Sequence, residues 1–166
     1  MNPFGIRDQN NERVWWIMNG LPEALKTFRQ DFDIRVFVDR NKGDWHMPME
    51  WHTSLEIFMC TAGSGRYQIG EKWYEFETGD IFVINNGELH KSEIYENGAF
   101  DAFIVMFSPE KMFPQNTMID GRDILDVFYN RTAAFSHMYR PTPQMQEVYG
   151  RISDLMLQEF EEKKEG

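Results

Sequence analysis

An antiparallel β-sandwich or small β-barrel, followed by α-helices, is the fold class that this 166-residue sequence predicts. Three observations lead there. From Phe32 onward, short segments rich in β-branched and aromatic residues succeed one another, each closed by a turn signal. After Pro109 the apolar spacing lengthens to steps of three and four, the period of a helix. Hydrophobic residues make up 42% of the chain, with 14 Phe, 5 Trp and 6 Tyr, enough for one real core and too many for a disordered chain.

Taken in chain order, Val14-Trp15-Trp16-Ile17-Met18 is apolar and is broken by Asn19-Gly20 and Pro22. Glu23 to Gln30 suits a short helix with Pro22 at its first position, so residues 1–30 read as an arm or short helix. Residues 31–110 read as the barrel. Ile34 to Val38 runs to Asn41-Lys42-Gly43, Leu55 to Thr61 to Gly63-Ser64-Gly65, and Arg66 to Ile69 to Gly70-Glu71-Lys72. Trp73 to Phe76 ends at Thr78-Gly79-Asp80, Ile81 to Ile84 at Asn85-Asn86-Gly87, and Phe100 to Phe107 at Ser108-Pro109. Even spacing of this kind is the mark of a sandwich or barrel. Residues 111–166 read as helical. Arg122 to Tyr129 carries Ile124, Leu125 and Phe128 at helical spacing. A second helix begins at Pro143 and draws one stripe through Met145, Val148, Tyr149, Ile152, Leu155, Met156 and Phe160.

Charge narrows the function classes. Twenty-seven acidic against 17 basic residues leave a formal charge of −10, which repels phosphate and argues against binding nucleic acid or anionic membranes through this chain. The longest apolar runs, such as Phe103 to Phe107, are too short to span a bilayer, and residues 1–30 lack the pattern of a secretion signal. A single cysteine, Cys60, excludes an internal disulfide and fits a reducing, cytoplasmic setting; its place two strand steps from Glu56 suggests a small buried hydrophobe.

Two clusters carry chemistry: Glu50-Trp51-His52-Thr53-Ser54-Leu55-Glu56, and Gly79-Asp80 through Gly87-Glu88-Leu89-His90. Strand alternation puts Glu50 and His52 on one face. A straight strand would hold His52 and Glu56 roughly 13 Å apart at about 3.3 Å per residue, so a shared site needs a turn at Thr53-Ser54. In the second cluster, the Asn-Asn-Gly turn is expected to fold His90 back beside the strand that starts after Gly79.

These spacings resemble the two motifs of the cupin superfamily. His52, Glu56 and Gly63 match the first, with Glu50 where the family's first histidine stands; Gly79, Gly87 and His90 match the second, with Asn85 in place of its proline. Trp51-His52, Glu56-Ile57-Phe58, the run Gly63 to Gly70, Gly79-Asp80-Ile81-Phe82 and Gly87 to His90 further resemble the N-terminal sensor domain of AraC-family transcription regulators. That resemblance implies a double-stranded β-helix (jelly-roll barrel) that binds a small-molecule effector. It also implies helices that form a homodimer, and a DNA-binding domain beyond the segment present.

The residues expected at the ligand are Glu50, Trp51, His52, Glu56, Phe58 and His90. His52, Glu56 and His90 also form a candidate metal set, with Glu50 or His46 as a fourth ligand, suited to zinc, nickel, manganese or ferrous iron. No cofactor is required by the expected function: the same residues also read as inherited polar groups, hydrogen-bonded inside the barrel or lining a metal-free pocket. Trp45, Trp51 and Trp73 suit either sugar stacking or core packing; His137 reads as a surface or loop histidine. The helical stripe either packs on its own barrel or forms a two-fold seam. Sensing of a small polar effector such as a sugar, with no catalytic role, is the expected function. A free-standing metal-dependent isomerase or oxygenase is the alternative.

Overall fold

One long strand organises the molecule. The computed structural model describes residues 34–43, 47–108, 118–119, 122–123, 125–131 and 135–162. The helix expected at 23–30, Trp45 and His46 lie outside them. The strands are β1 (Ile34–Lys42), β2 (Leu55–Ile69), β3 (Lys72–Glu77), β4 (Ile81–Ile84), β5 (His90–Glu93), β6 (Ala99–Phe107), β7 (Met118–Ile119), β8 (Arg122–Asp123) and β9 (Met138–Tyr139); the helices are α1 (Asp126–Tyr129) and α2 (Pro143–Glu162). All pairings are antiparallel. The first half of β2 lies between β6 and β4, and its second half between β3 and β5, so β2 belongs to both walls of the barrel.

The turn expected at Gly63-Ser64-Gly65 is therefore a passage and not a reversal. The register of β2 against β6 slips between Cys60 and Ala62, and Gly63 has φ +83°. A Cβ on Gly63 would lie 2.0 Å from the carbonyl oxygen of Ala99, and one on Gly65 would lie 2.6 Å from that of Glu93. Glycines stand here because neighbouring backbones approach so closely. Chain reversal falls instead to Gly70-Glu71, which joins β2 to β3 in register from Ile69↔Lys72.

Because β2 is covered on both sides, both of its faces are apolar. Phe58 centres an inner aromatic core, with ring centroids 5.0 Å from Tyr67, 5.5 Å from Phe76, 5.7 Å from Phe82 and 6.0 Å from Phe100. The opposite face gives Leu55 and Met59 to a second core with Val36, Phe103, Val105, Phe107 and Phe128, onto which Tyr149, Met156 and Leu157 of α2 pack. Cys60 is fully buried and burial pushes its thiol up to about 12, so it behaves as a small hydrophobe, as expected.

The two expected helices fare differently. α2 begins at Pro143 as read from the sequence, with the Oγ1 of Thr142 accepting the N–H of Met145. Its stripe divides: Tyr149 and Met156 cover the second core, whereas Ile152, Leu155 (61% exposed) and Phe160 face outward. The helix expected from Arg122 shrinks to Asp126–Tyr129, because Arg122 and Asp123 pair with β7 and the Asp123 carboxylate captures the N–H of Leu125. Among the described residues, no helix is long and apolar enough to cross a membrane.

The close approach at Gly63 makes a sharp test. Gly63→Ala should cost at least about 2 kcal/mol in urea denaturation, combining left-handed strain with a backbone clash. Gly70→Asn, where nothing lies within 4 Å of a Cβ, should cost less than about 1 kcal/mol.

Candidate functional site

Every polar group of the site is set by a local backbone feature. The chain bends at Thr53-Ser54, and that bend carries His52 back over the start of β2, where its Nε2 lies 2.9 Å from Oε2 of Glu56. The Nδ1–H of His52 donates to the carbonyl of Ser54 at 2.9 Å. His90 opens β5 and is bridged to Glu50 by two backbone hydrogen bonds, of 3.0 and 2.9 Å. Its own Nδ1–H donates to the carbonyl of Glu88 at 2.7 Å. The Asn85-Asn86-Gly87 turn does not lay His90 back along β4. β5 pairs with the second half of β2, with Ile69 opposite His90, while β4 pairs with the first half. Because β2 bends, strands from opposite walls bring His90 and Glu56 together.

The result is one cluster. Ligand atoms of His52, Glu56 and His90 all lie within 4.8 Å of one another. Nε2 of His90 is 3.9 Å from Oε2 of Glu56 and 3.9 Å from Oε1 of Glu50. The Tyr67 hydroxyl donates to the other oxygen of Glu56 at 3.3 Å. His90 is 1% exposed, and its Nε2 has no hydrogen-bond partner among the described residues. An orphaned buried ring nitrogen costs free energy that a further partner would recover.

Electrostatics separate the two histidines. Burial alone would lower the pKa of His52, but the hydrogen bond and charge of Glu56 outweigh it and raise it. His90 is lowered, chiefly by burial. Burial works to raise Glu56, yet its bonds and charge interactions with His52 and His90 hold it below the usual carboxylate value. Glu50 is pushed up to about 7 by burial and by the charge of Glu56.

The expected site residues are thus placed as follows. Glu50, His52, Glu56 and His90 converge. Phe58 lies next along the inner face of β2, within the aromatic core. Trp51, between two inward residues, is 54% exposed and faces outward.

Some groups were missed by the sequence reading. Tyr67 is one. Register puts Arg35 opposite Met106, which is opposite Glu56, and Asp39 opposite Ala102, which is opposite Cys60. Arg35, Asp39 and Asn41 therefore share the inner face with Glu56. Asp39 accepts a bond from Asn41 at 3.0 Å, and burial raises its carboxyl. The alternation Arg35-Phe37-Asp39-Asn41 against Val36 and Val38 was the available signal. His137, expected at the surface, is instead mostly buried and bonds Glu88 and Tyr74 at 3.1 Å each.

Compared with known proteins, residues 36–158 match the AraC-like ligand binding domain. The chain belongs to that family. Its fold is the cupin-type barrel with a C-terminal helix expected from the motifs. It is 27% identical over 124 residues to an acireductone dioxygenase of Branchiostoma floridae, covering 72% of this chain and 64% of that protein. The chain thus spans less than two thirds of that relative's length. Similar solved structures include a cupin 2 conserved barrel domain protein from Salinispora arenicola, at 14% identity, TM-score 0.44, and coverage of 48% of this chain and 67% of that one. The Mn(II)-containing oxalate decarboxylase of Bacillus subtilis is similar at 20% identity and TM-score 0.43, over 51% of this chain and 23% of that one.

The donor set of this AraC-like domain fits a divalent cation. Both histidines give their Nδ1–H to backbone carbonyls, which leaves each Nε2 directed at Glu56, the arrangement that orients imidazole for a metal. Two ring nitrogens and one or two carboxylates suit zinc, nickel, manganese or ferrous iron.

In chelator-treated protein, ring-proton NMR should show His52 titrating above 6.5 and His90 below it. The raised His52 stabilises the fold fully below pH 6.5, and that increment is lost as pH rises through its folded value. His90 acts in the opposite sense, costing stability as pH falls below 6.5. Glu56→Gln should drop His52 below its ordinary value, since burial is then opposed far less.

Proposed function

We propose that this domain is an effector sensor that takes a small, hydroxyl-rich molecule of the sugar class into the barrel, held at a divalent cation bound by His52, Glu56 and His90. The observation that carries this reading is the buried Nε2 of His90, without a hydrogen-bond partner among the described residues and 3.9 Å from each of two carboxylates. Asp39, Glu50 and Glu56 supply acceptors for hydroxyl donors, and the rings of Phe58 and Tyr67 lie beside them. When bound, the cation would supply Lewis-acid attraction for a ligand oxygen. The carbonyls of Ser54 and Glu88 hold the two imidazoles in the ligating tautomer. Glu50, 3.9 Å from the Nε2 of His90, is placed to hydrogen-bond a ligand hydroxyl.

In this reading residues 31–110 are the sensing barrel and 111–166 the dimerising segment of an AraC-type cytoplasmic regulator whose DNA contacts belong to a further domain. The outward residues Ile152, Leu155 and Phe160 of α2 supply an apolar seam for a second copy. Effector binding switches such a dimer only by preferring one of its arrangements.

A second reading is supported by the acireductone dioxygenase relative: a metal-dependent enzyme, an oxygenase or isomerase, built on the same triad. Two histidines and one carboxylate with open positions are the ligand pattern of non-haem iron oxygenases.

Purified protein should contain near-stoichiometric divalent metal. A bound sugar at about 100 times its Kd should raise the melting temperature by roughly 5–10 °C in metal-loaded protein. A folded, metal-loaded sample that no member of a sugar library shifts would overturn the sugar assignment, and turnover of an acireductone would move the protein to the enzyme reading. Leu155→Arg should convert a dimer to a monomer in light scattering without lowering the melting temperature by more than a few degrees.

A further inference from the structure

A second polar cluster lies outside the triad and touches it at one atom. The carboxylate of Glu88 receives both terminal guanidinium nitrogens of Arg131, with NH2 to Oε2 at 3.0 Å, and Nε2 of His137 lies 3.1 Å from that carboxylate and 3.1 Å from NH1 of Arg131. The carboxylate also accepts the N–H of Asn85 at 2.8 Å. The Tyr74 hydroxyl bonds Nδ1 of His137, and Arg131 Nε donates to the carbonyl of Phe128 at 2.8 Å. Arg131 and His137 belong to the stretch that leads from α1 through β9 into α2. The backbone carbonyl of Glu88, meanwhile, is the acceptor that fixes Nδ1 of His90. One residue therefore holds the ligand histidine with its main chain and the approach to α2 with its side chain.

That approach is held mainly by polar contacts. β9 pairs with β4 at Ile81↔Tyr139 and Phe82↔Met138, and the N–H of Val83 adds a bond to the carbonyl of His137 at 3.0 Å. Arg140 adds two bonds to the buried Asp80, at 2.8 and 2.7 Å. Phe128 is the buried apolar anchor of α1. With Phe128 left anchored in the second core, Arg131 and residues 135–141 can change their seating without unpacking either core.

We propose that Glu88 is a coupling joint: occupancy of the barrel site, by ordering His90, favours the seated strap made by Arg131 and residues 135–141, and seating of the strap in turn holds His90 ready to bind. This rests on the sensing role proposed above only for the identity of what occupies the site. Linkage makes the effect reciprocal. Glu88, Arg131 and His137 are positioning residues, acting through His90.

The test uses the whole chain, with Arg131→Met, Arg131→Lys and, as a second route should Arg131→Met not fold, Glu88→Gln. In chelator-treated protein, 15N NMR should show His90 as a single Nδ1–H tautomer in the wild type and a mixture in Arg131→Met, with Arg131→Lys between them. Mn²⁺ should bind Arg131→Met about tenfold more weakly. It should slow amide exchange in residues 135–141 of the wild type at least threefold, and have little effect there in the variant. A folded Arg131→Met or Glu88→Gln whose His90 tautomer is unchanged overturns the joint. So does unchanged exchange in the strap on Mn²⁺ binding to the wild type. If the wild type binds no Mn²⁺, the metal reading of the triad falls, and the tautomer comparison alone decides the joint.

Discussion

A buried carboxylate sets the terms for this structure. Glu56 stands on the inner face of β2, beside an aromatic cluster, and is almost fully buried. Leaving a charge unpaired there would cost several kcal/mol. Its neighbours are the local answer: His52 from the preceding bend, Tyr67 from the far half of the same strand, and His90 from the opposite wall. The bend at Thr53-Ser54 and the passage of β2 through Gly63 are what allow three separate stretches of backbone to meet at one carboxyl group.

The pairing leaves one valence open. His52 and Tyr67 satisfy Glu56, but His90 has its Nδ1 committed to Glu88 and its Nε2 committed to nothing described. Glu50, with its pKa near 7, stands beside that nitrogen and adds negative potential. A cluster that only served stability would be expected to close on itself. This one is closed around Glu56, with His52 and Tyr67 bonded to it, and open at the Nε2 of His90 among the described residues. The backbone carbonyls behind both rings make the open side rigid, so recognition does not wait for ring rotation.

Most strands were legible in the sequence, because turn residues punctuate them and because alternation and run length differ from the helical period. Pro143 with its stripe located α2 to the residue. The candidate ligands were legible as well, since His52, Glu56 and His90 keep a motif spacing; the bend at Thr53-Ser54 was expected, whereas the passage of β2 that brings His90 from the opposite wall was not. The errors have physical causes. Gly63-Ser64-Gly65 has the composition of a turn, yet glycine serves close backbone approach equally well, and only the nearness of Ala99 and Glu93 distinguishes the two. The helix expected from Arg122 was shortened by a single side-chain bond from Asp123. The inward run Arg35, Asp39 and Asn41 resembled an exposed strand edge, because polar alternation says which residues share a face and not which way that face points. Trp51 did carry a signal, since the alternation that puts Glu50 and His52 on one face turns Trp51 to the other.

The sequence by itself determined a strand-rich acidic domain with a C-terminal amphipathic helix, and the residue types available to a site. Those properties are local: periodicity, turn chemistry and spacing act over a few residues at a time. Tertiary structure decided which wall His90 came from, which half of the helical stripe was left outside, and that Glu88 would join Arg131 and His137 across more than forty positions of chain. No local preference encodes such pairings. They follow from strand register and from the need of each buried charge to find its partner wherever the folded chain has brought one.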